Sequence, residues 1–261
     1  MHPKIKKGLI HIMNMVPGIM GVHQFFVGLF LLPSFFRDYR AFRKAQEGLP
    51  VRFPLRKRDF FLCLFDKTAD TGFNPHYIYH PAWAARIVAR VQPKKHVDIS
   101  SSLTFSTIVS AFVPVDFYDY RPAGLNLDNL ESKQGDLMAL PFPDGSVESI
   151  SCMHTIEHVG LGRYGDPIDP DGDIKAINEM KRVVAEGGTL LFVVPVGEPR
   201  IEYNAHRIYS YEQVIEYFSD LTLKEFALIP DDFKKHGLIR DADPAMVAGQ
   251  RYGCGCFWFT K

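Results

Sequence analysis

From residue 96 to the end of the chain, short apolar runs alternate with stretches whose apolar residues recur every three or four positions. The apolar runs predict strands covered on both faces, and the stretches with helical spacing predict amphipathic helices. This alternation is typical of a doubly wound α/β domain with a mostly parallel sheet. The predicted strands are 96–99, 115–119, 147–153, 189–194, 221–228 and 256–259. The predicted helices are 104–111, 174–184 and 211–218.

The chain before residue 96 lacks this alternation. Residues 48–80 are rich in proline, aromatic residues and single charges, and they predict a lead-in region of loops with a short strand near 60–65. Pro81 predicts the start of a helix, since proline is favoured at the first helical position. We therefore divide the chain into an apolar and basic helical arm, residues 1–58, and an α/β domain, residues 59–261.

The N-terminal arm contains a stretch, residues 15–33, without any Asp, Glu, Lys or Arg. Its length is borderline for a membrane-spanning helix, which needs about 20 mostly apolar residues. Because Pro17, Gly21 and Gly28 weaken a span, we predict a helical arm that packs on the domain or on a partner chain. The aromatic and basic run 35–43 makes a peripheral contact with a membrane surface the alternative.

Composition and charge narrow the class of partner. Apolar residues make up 46% and charged residues 23% of the chain, which is ordinary for a globular protein. Lys+Arg and Asp+Glu both count 30, so no basic surface is indicated and we predict no nucleic-acid partner. The four cysteines are too few for a disulfide scaffold, which favours a reducing, cytoplasmic location.

Polar side chains follow the predicted strands at their carboxyl ends, where ligands bind in an open α/β sheet. Asp98 lies in the first strand, and Ser100 and Ser102 follow it. Asp119 ends the second strand, at about the 20-residue separation from the first loop at which a carboxylate can accept both hydroxyls of a ribose. Asp136, further on, is placed to meet an adenine amino group.

Three runs of residues carry a resemblance to a known family, namely 96–99, 154–167 and 204–207. With the order of the acidic residues, they resemble the motif set of class I S-adenosylmethionine-dependent methyltransferases, and more narrowly the DUF268 family of methyltransferase-like proteins. The resemblance extends over roughly residues 60–230. It implies a Rossmann-like fold with a mostly parallel seven-stranded sheet, helices on both faces and S-adenosylmethionine as cofactor. The cofactor-binding residues that we predict are Asp98, Ser100, Ser102, Asp119, Asp136 and His154.

The first loop departs from the pattern of that superfamily, which usually has Gly-x-Gly where this chain has Ser100-Ser101-Ser102. Serine disfavours the positive φ values that glycine tolerates. One interpretation is a loop that binds the cofactor with altered geometry, its hydroxyls contacting the carboxylate or amine. The other is a degenerate fold that acts as a non-catalytic binding or scaffold protein. The retained carboxylates favour the first, because buried carboxylates without a ligand are costly.

The resemblance places the segment after the 147–153 strand over the sulfonium of the cofactor. An oxygen or nitrogen acceptor needs a base whose pKa is near neutral, and histidine fits this requirement. We predict His158 as the base, with His154 and His206 as alternatives and Glu157 as the residue that orients it. The acceptor class that suits the polar residues of the site is a saccharide or another small metabolite.

The same segment also matches the inverted zinc-protease pattern, His154-x-x-Glu157-His158. A zinc-dependent hydrolase is therefore the remote alternative. That function needs both histidines on one face of a helix, and Gly160 and Gly162 leave little room for one. We therefore predict no metal ligands in this segment.

Overall fold

The computed structural model describes residues 17–261, which divide into two units at Gly72. The helices are α1 (Pro17–Ala45), α2 (Pro75–Val91), α3 (Leu103–Val109), α4 (Gly172–Val183), α5 (Tyr211–Tyr217) and α6 (Phe233–His236). The strands are β1 (His96–Ile99), β2 (Val115–Asp119), β3 (Leu130–Gln134), β4 (Val147–Met153), β5 (Val184–Val196), β6 (Arg200–Glu202), β7 (His206–Ile208), β8 (Thr222–Ile229) and β9 (Gly253–Thr260).

The main sheet has seven strands in the order β3-β2-β1-β4-β5-β9-β8. Neighbouring strands from β3 to β5 are parallel, whereas β9 runs antiparallel to both β5 and β8. β6 and β7 form a separate antiparallel hairpin after β5. The predicted mostly parallel, seven-stranded α/β fold is thereby confirmed.

Central strand β5 is buried on both faces, as its uninterrupted apolar run predicts. Leu190, Phe192 and Val194 face one hydrophobic cluster, and Leu191 and Val193 face the other, because successive side chains of a strand point to opposite faces. The first cluster includes residues of α4 and α5, and the second includes residues of α2 and α3. Helices therefore cover both faces of the sheet.

Helix α2 begins earlier than the sequence predicted. It starts at Pro75, and the Asn74 side chain caps it by accepting a hydrogen bond from the backbone N–H of His76. Pro81, the predicted start, lies inside the helix. The error arose because Asn74 and Pro75 already form a capped N-terminus, a stronger start signal than a second proline six residues on. The correction moves His76 and His80 from a loop onto a helix.

The first unit includes residues 59–72, which the sequence analysis had placed with the second. Phe60 packs edge-on against Phe35 and Tyr39 of α1, with ring centroids 5.4 and 4.8 Å apart. This aromatic contact ties the segment to α1, and the strand predicted near 60–65 does not form. Within residues 17–261, no helix combines the length and the hydropathy that a membrane span needs.

Candidate functional site

A cleft opens at the carboxyl ends of the parallel strands. The loops after β1 to β4 bring several predicted site residues to its walls, namely Ser100, Asp119, Asp136, His154 and His158. The cleft has two adjoining lobes, which share Ser100, His154, His158 and Tyr164. The first, or acidic, lobe contains Asp119 and Asp136. The second, or histidine, lobe is lined further by Tyr77, Ser102, Glu157, Arg163, His206 and Tyr252.

The serine loop after β1 keeps the turn that glycine usually makes. Ser100 has a φ of +52°, a left-handed conformation that costs a residue other than glycine about 1 kcal/mol or more. Its backbone N–H and its hydroxyl both donate to the carbonyl oxygen of Tyr118, at 2.8 and 3.1 Å. The side chain is therefore held against β2, and the loop backbone still turns at the end of β1.

The other two serine hydroxyls also hold the loop in place. Ser101 Oγ accepts a hydrogen bond from the backbone N–H of Met153 at 3.1 Å, which joins the loop to the end of β4. Ser102 caps α3, since its hydroxyl accepts from the backbone N–H of Phe105 at 3.3 Å. Sequence reasoning assigned these hydroxyls to a ligand and missed their part in shaping the loop. Contacts between them and a cofactor stay a prediction.

Asp98 lies beneath the loop, fully buried, and does not line the cleft. Its carboxylate accepts hydrogen bonds from the hydroxyls of Ser106 and Ser151, the latter at 2.6 Å. Burial raises the pKa of Asp98 to about 6, against the opposing effect of the serine hydrogen bonds. The structure therefore does not support the predicted contact between Asp98 and the cofactor. Asp98 instead supports the loop from below.

A buried histidine that sequence reasoning missed completes this network. His96 lies with Nδ1 2.8 Å from Ser149 Oγ and Nε2 2.9 Å from Ser151 Oγ. Because Ser151 donates its proton to Asp98, it accepts from Nε2–H, so Nδ1 is the unprotonated nitrogen. Burial lowers the pKa of His96 to about 3, which keeps the ring neutral.

The two carboxylates of the acidic lobe each stand at the start of a tight turn. Asp119 Oδ1 accepts from the backbone N–H of Arg121 at 2.7 Å, and Asp136 Oδ1 accepts from that of Met138 at 2.8 Å. Such turns, in which an Asp side chain bonds the backbone two residues on, fix the direction of the side chain. Both carboxylates are thereby held at the cleft wall, as the sequence predicted.

His154 and Glu157 form a buried pair between the two lobes. The ring Nδ1 of His154 lies 2.9 Å from Oε1 of Glu157, and the two side chains are 3% and 1% exposed. Burial acts to raise the pKa of Glu157, but the hydrogen bond from His154 and the nearby imidazoles outweigh it and leave the pKa below its usual value. Glu157 is therefore a buried anion.

The His154-x-x-Glu157-His158 segment is not an α-helix. His154 has a φ of +55°, and only Ile156–His158 form a single 3-10 turn. The two histidines have different partners, because His158 Nδ1 lies 2.6 Å from the carbonyl oxygen of Ala205. This geometry differs from the one that the inverted zinc-protease pattern requires.

His158 presents an unprotonated nitrogen to the cleft. A carbonyl oxygen can only accept, so Nδ1 carries the proton in the bond to Ala205, and Nε2 is left with its lone pair. Burial lowers the pKa of His158, so the ring is neutral at neutral pH. Glu157 Oε1 lies 3.8 Å from Nε2, close enough to stabilise an imidazolium once a proton arrives. His158 has the geometry of a general base.

The β6–β7 hairpin supplies the far wall of the histidine lobe, and the sequence analysis did not predict it. His206 pairs with Glu202 across the hairpin, with Nε2 and Oε2 3.2 Å apart. Arg207 is buried and donates to the carbonyl oxygens of Val159 and Pro170, at 2.7 and 3.1 Å. Of the predicted 204–207 run, His206 lines the cleft, whereas Arg207 holds the neighbouring glycine-rich loop.

That glycine-rich loop, residues 160–167, forms the outer wall of the acidic lobe. Asp166 closes it on itself, accepting from the backbone N–H groups of Gly160 at 2.9 Å and Tyr164 at 3.1 Å. Gly160 has a φ of +80°, and a Cβ there would lie 2.0 Å from the carbonyl oxygen of Asp169. Glycine is therefore required at this position by both backbone conformation and space.

Three aromatic or histidine residues at the site come from elements outside the predicted strand ends. His76 and His80 of α2 stack or tilt against His154, with ring centroids 5.0 and 5.1 Å away. Tyr252, just before β9, stacks on His76 at 5.2 Å. The Asn74-Pro75 cap could have placed the two histidines on a helix, but no signal in the sequence shows that this helix reaches the cleft.

Comparison with known proteins finds a family model that matches part of the chain. A family model described as "Caenorhabditis protein of unknown function, DUF268" matches residues 135–220, which confirms the resemblance over that part of the chain. The matched region contains Asp136, the glycine-rich loop and the histidines of the 154–158 and 204–207 runs. No curated protein sequence matches the chain.

Several solved structures with a similar fold are known or putative methyltransferases, and one is a cyclase, SpnF. A putative sarcosine dimethylglycine methyltransferase from Galdieria sulphuraria is 15% identical, with a TM-score of 0.50 over 69% of this chain and 84% of that one. The N-methyltransferase NodS from Bradyrhizobium japonicum WM9, in complex with S-adenosyl-l-homocysteine, is 12% identical, with a TM-score of 0.46 over 68% of this chain and 85% of that one. At this level of identity the first likeness establishes the fold alone.

Proposed function

We propose that this chain transfers a methyl group from S-adenosylmethionine to a small polar acceptor. The observation that carries the proposal is the arrangement of the cleft. Carboxylates at the ends of β2 and β3 line one lobe, and His158, whose Nε2 keeps its lone pair, lines both that lobe and the next. A cofactor in the acidic lobe would therefore present its reactive end to a neutral imidazole.

The residues of the acidic lobe fit such a cofactor. Asp119 would accept the ribose hydroxyls, and Asp136 and Leu137, which also line this lobe, would lie beside the adenine ring. The Ser100 backbone, turned by its positive φ, would lie against the methionine part. When bound, the cofactor supplies the electrophilic methyl group.

His158 would act on the acceptor. Nε2 would take the proton of an acceptor hydroxyl or amine in the histidine lobe as that oxygen or nitrogen receives the methyl group. The carbon–sulfur bond would break, its electron pair would go to sulfur, and S-adenosylhomocysteine would leave. The bond from Nδ1 to Ala205 fixes the ring, and the Glu157 carboxylate stabilises the imidazolium that forms. General base catalysis of this kind is typically worth about 10²–10⁴-fold in rate.

The histidine lobe favours a small polar acceptor. Tyr77 and Tyr252 supply flat aromatic walls, while Arg163 and His206 supply polar atoms. A saccharide or a metabolite of similar size can stack on the tyrosine rings and hydrogen-bond to Arg163 and His206.

Calorimetry with S-adenosylmethionine and S-adenosylhomocysteine tests this function. We expect both to bind the purified chain at one site, with the heat of binding lost when Asp119 is replaced by Ala. If neither compound binds, the cleft serves a different ligand, and the non-catalytic scaffold becomes the better account of the fold.

We also propose a peripheral membrane contact for the first unit. Phe26 and Phe30 of α1, one turn apart, are 56% and 83% exposed, and the exposed basic residues Arg40, Arg43 and Lys44 follow on the same helix. Exposed aromatic rings beside a basic cluster favour the interface of an anionic lipid surface. For the location of the protein, a reducing, cytoplasmic compartment remains our proposal.

A further inference from the structure

Two histidines and a cysteine meet at the base of the histidine lobe. His76 comes from α2, His154 from the end of β4 and Cys254 from β9, and all three are buried. One ligand atom from each, a ring nitrogen or the sulfur, lies within 4.8 Å of the other two. His80, one turn after His76 on α2, lies next to His154. We call these four residues the histidine–thiol cluster.

The cluster contains buried ring nitrogens whose hydrogen-bonding capacity is unused. Within the described part of the chain, His154 Nε2 and both ring nitrogens of His80 have no hydrogen-bond partner. Leaving a buried polar group without a partner costs about 1–3 kcal/mol. One of these atoms, His154 Nε2, belongs to a residue of the converging trio, and an unpartnered buried nitrogen there indicates a ligand that takes a lone pair.

The other nitrogen of His154 is held in the manner of a metal ligand. Nδ1 lies 2.9 Å from Oε1 of Glu157, so its proton faces the carboxylate and the buried Nε2 keeps its lone pair. Histidines that bind metals almost always donate their second nitrogen to a carboxylate, carbonyl or water, which fixes the ring and raises its basicity.

The charges around the cluster also favour a divalent cation. Among residues 17–261, the ion pairs of Glu157 involve only His154 and His158, so no lysine or arginine neutralises this buried carboxylate. A divalent cation bound by one thiolate would leave one positive charge, which Glu157 would cancel. Cation, thiolate and carboxylate therefore sum to zero among buried side chains.

We propose that His76, His154 and Cys254 bind a single zinc-class divalent cation, with His80 as the nearest further imidazole. Two nitrogens and a sulfur are donors that Zn²⁺ prefers, and three protein ligands leave a fourth position open. In a tetrahedral site of this kind the ligand atoms lie about 3.3–3.6 Å apart. The present spacing of up to 4.8 Å is longer, so the stacked rings of His76 and His154 must rotate about their side-chain bonds for both nitrogens to face one cation.

This site differs from the His154-x-x-Glu157-His158 pattern of the sequence. Here Glu157 orients His154, and His158 stays outside the site, since its Nδ1 is bound to Ala205. The sequence analysis predicted no metal because Gly160 and Gly162 leave little room for a helix after His154. It did not consider His76 and Cys254 together with His154, since they are distant from it in the chain. The proposal rests on the cluster alone, so it is independent of methyl transfer.

Titration of the purified full-length chain with Co²⁺, followed by absorption spectroscopy, tests the proposal. We expect one Co²⁺ per chain, with visible d–d bands and a thiolate-to-cobalt charge-transfer band in the near ultraviolet. Both sets of bands should disappear when Zn²⁺ displaces the Co²⁺. Cys254→Ser should abolish the charge-transfer band, whereas Cys63→Ser, at an exposed thiol, should retain it.

Histidine variants separate this site from the sequence pattern. His154→Gln should lose tight binding, and His158→Gln should keep it. Glu157→Gln should weaken Zn²⁺ binding about 10–100-fold, the usual effect of removing an outer partner of a ligand. If Cys254→Ser does not fold, as judged by circular dichroism, His76→Gln provides the same test from α2.

Three results would overturn the proposal: a wild-type chain that binds no Co²⁺ at micromolar concentrations, a charge-transfer band that survives in Cys254→Ser, or binding that depends on His158 and not on His154. Calorimetry with S-adenosylmethionine on the same preparations reports separately on the proposed methyl transfer.

Discussion

His158 and Ala205 join two loops that are far apart in the chain, because the ring Nδ1 of His158 lies 2.6 Å from the carbonyl oxygen of Ala205. This bond settles the tautomer of the ring. It leaves Nε2 as the nitrogen that can accept a proton, and it connects the loop after β4 to the β6–β7 hairpin.

Replacement of His158 by Gln should lower turnover by about 10²–10⁴-fold, because glutamine cannot take the proton of the acceptor. Affinity for S-adenosylmethionine, measured by calorimetry, should change little. His206→Gln is the matched control and should have a smaller effect on turnover. Equal losses in the two variants would show that His158 has no special role as the base.

Asp119→Ala should weaken binding of S-adenosylmethionine while the melting temperature stays near that of the wild type. The carboxylate accepts one backbone hydrogen bond, so Asp119→Asn keeps the turn and isolates the contact with the ribose. Both variants should bind more weakly in calorimetry. Unchanged affinity in both would remove Asp119 from the site.

Gly160→Ala should destabilise the fold through backbone strain and through a steric clash. A second variant, Gly165→Ala, separates these two effects. Gly160 has positive φ and a Cβ there would meet the carbonyl of Asp169 at 2.0 Å, whereas Gly165 has positive φ but open space around it. We expect a loss of about 2–4 kcal/mol for Gly160→Ala and about 1–2 kcal/mol for Gly165→Ala. Denaturant unfolding measures both, and equal losses would contradict the steric part of the argument.

Glu225 predicts a dependence of stability on pH. Its buried carboxylate accepts from Trp83 Nε1 at 2.9 Å and pairs with Arg240. The hydrogen bond from Arg240, despite burial, holds the pKa of Glu225 below its usual value. The pair therefore contributes its full stability above the ordinary glutamate pKa and loses it as the pH falls through the lower, folded-state pKa.

Glu225→Gln should accordingly lower the melting temperature at pH 7, and the difference from the wild type should shrink below pH 4. The exposed Glu216→Gln provides the control and should show no comparable pH dependence. A wild-type advantage that is as large at pH 3 as at pH 7 would rule out this explanation.

The first unit should bind vesicles that contain phosphatidylserine more strongly than vesicles of phosphatidylcholine alone. A basic residue near an anionic surface contributes about 1 kcal/mol, so replacing Arg40, Arg43 and Lys44 together by Gln should release most of the protein in a co-sedimentation assay. High salt should do the same. Binding that is indifferent to both lipid charge and salt would contradict the proposal.

The elements that the sequence predicted well are those whose pattern is set by burial. β4 begins and ends at residues 147 and 153 as predicted, and six of its seven residues are buried. β3 was missed because it lies at the edge of the sheet, and only Leu130 of its five residues is buried. An edge strand is stabilised by pairing with the neighbouring strand. This pairing leaves no hydrophobic pattern in the residues of the edge strand itself.

The candidate site likewise has some features that the sequence predicted and others that only tertiary packing decided. The sequence by itself determined that Asp119 and His158 would share one cleft, because each follows a predicted strand and the carboxyl ends of parallel strands meet at one edge of a sheet. Asp136 also lines this cleft, but it follows β3, which the sequence analysis did not predict. The tertiary structure alone decided that Asp98 lies beneath the loop, that Ser100 takes a conformation typical of glycine, and that α2 and β9 bring His76 and Cys254 to His154. Those contacts depend on how helices and strands distant in the chain pack together, which the order of residues along the chain does not show.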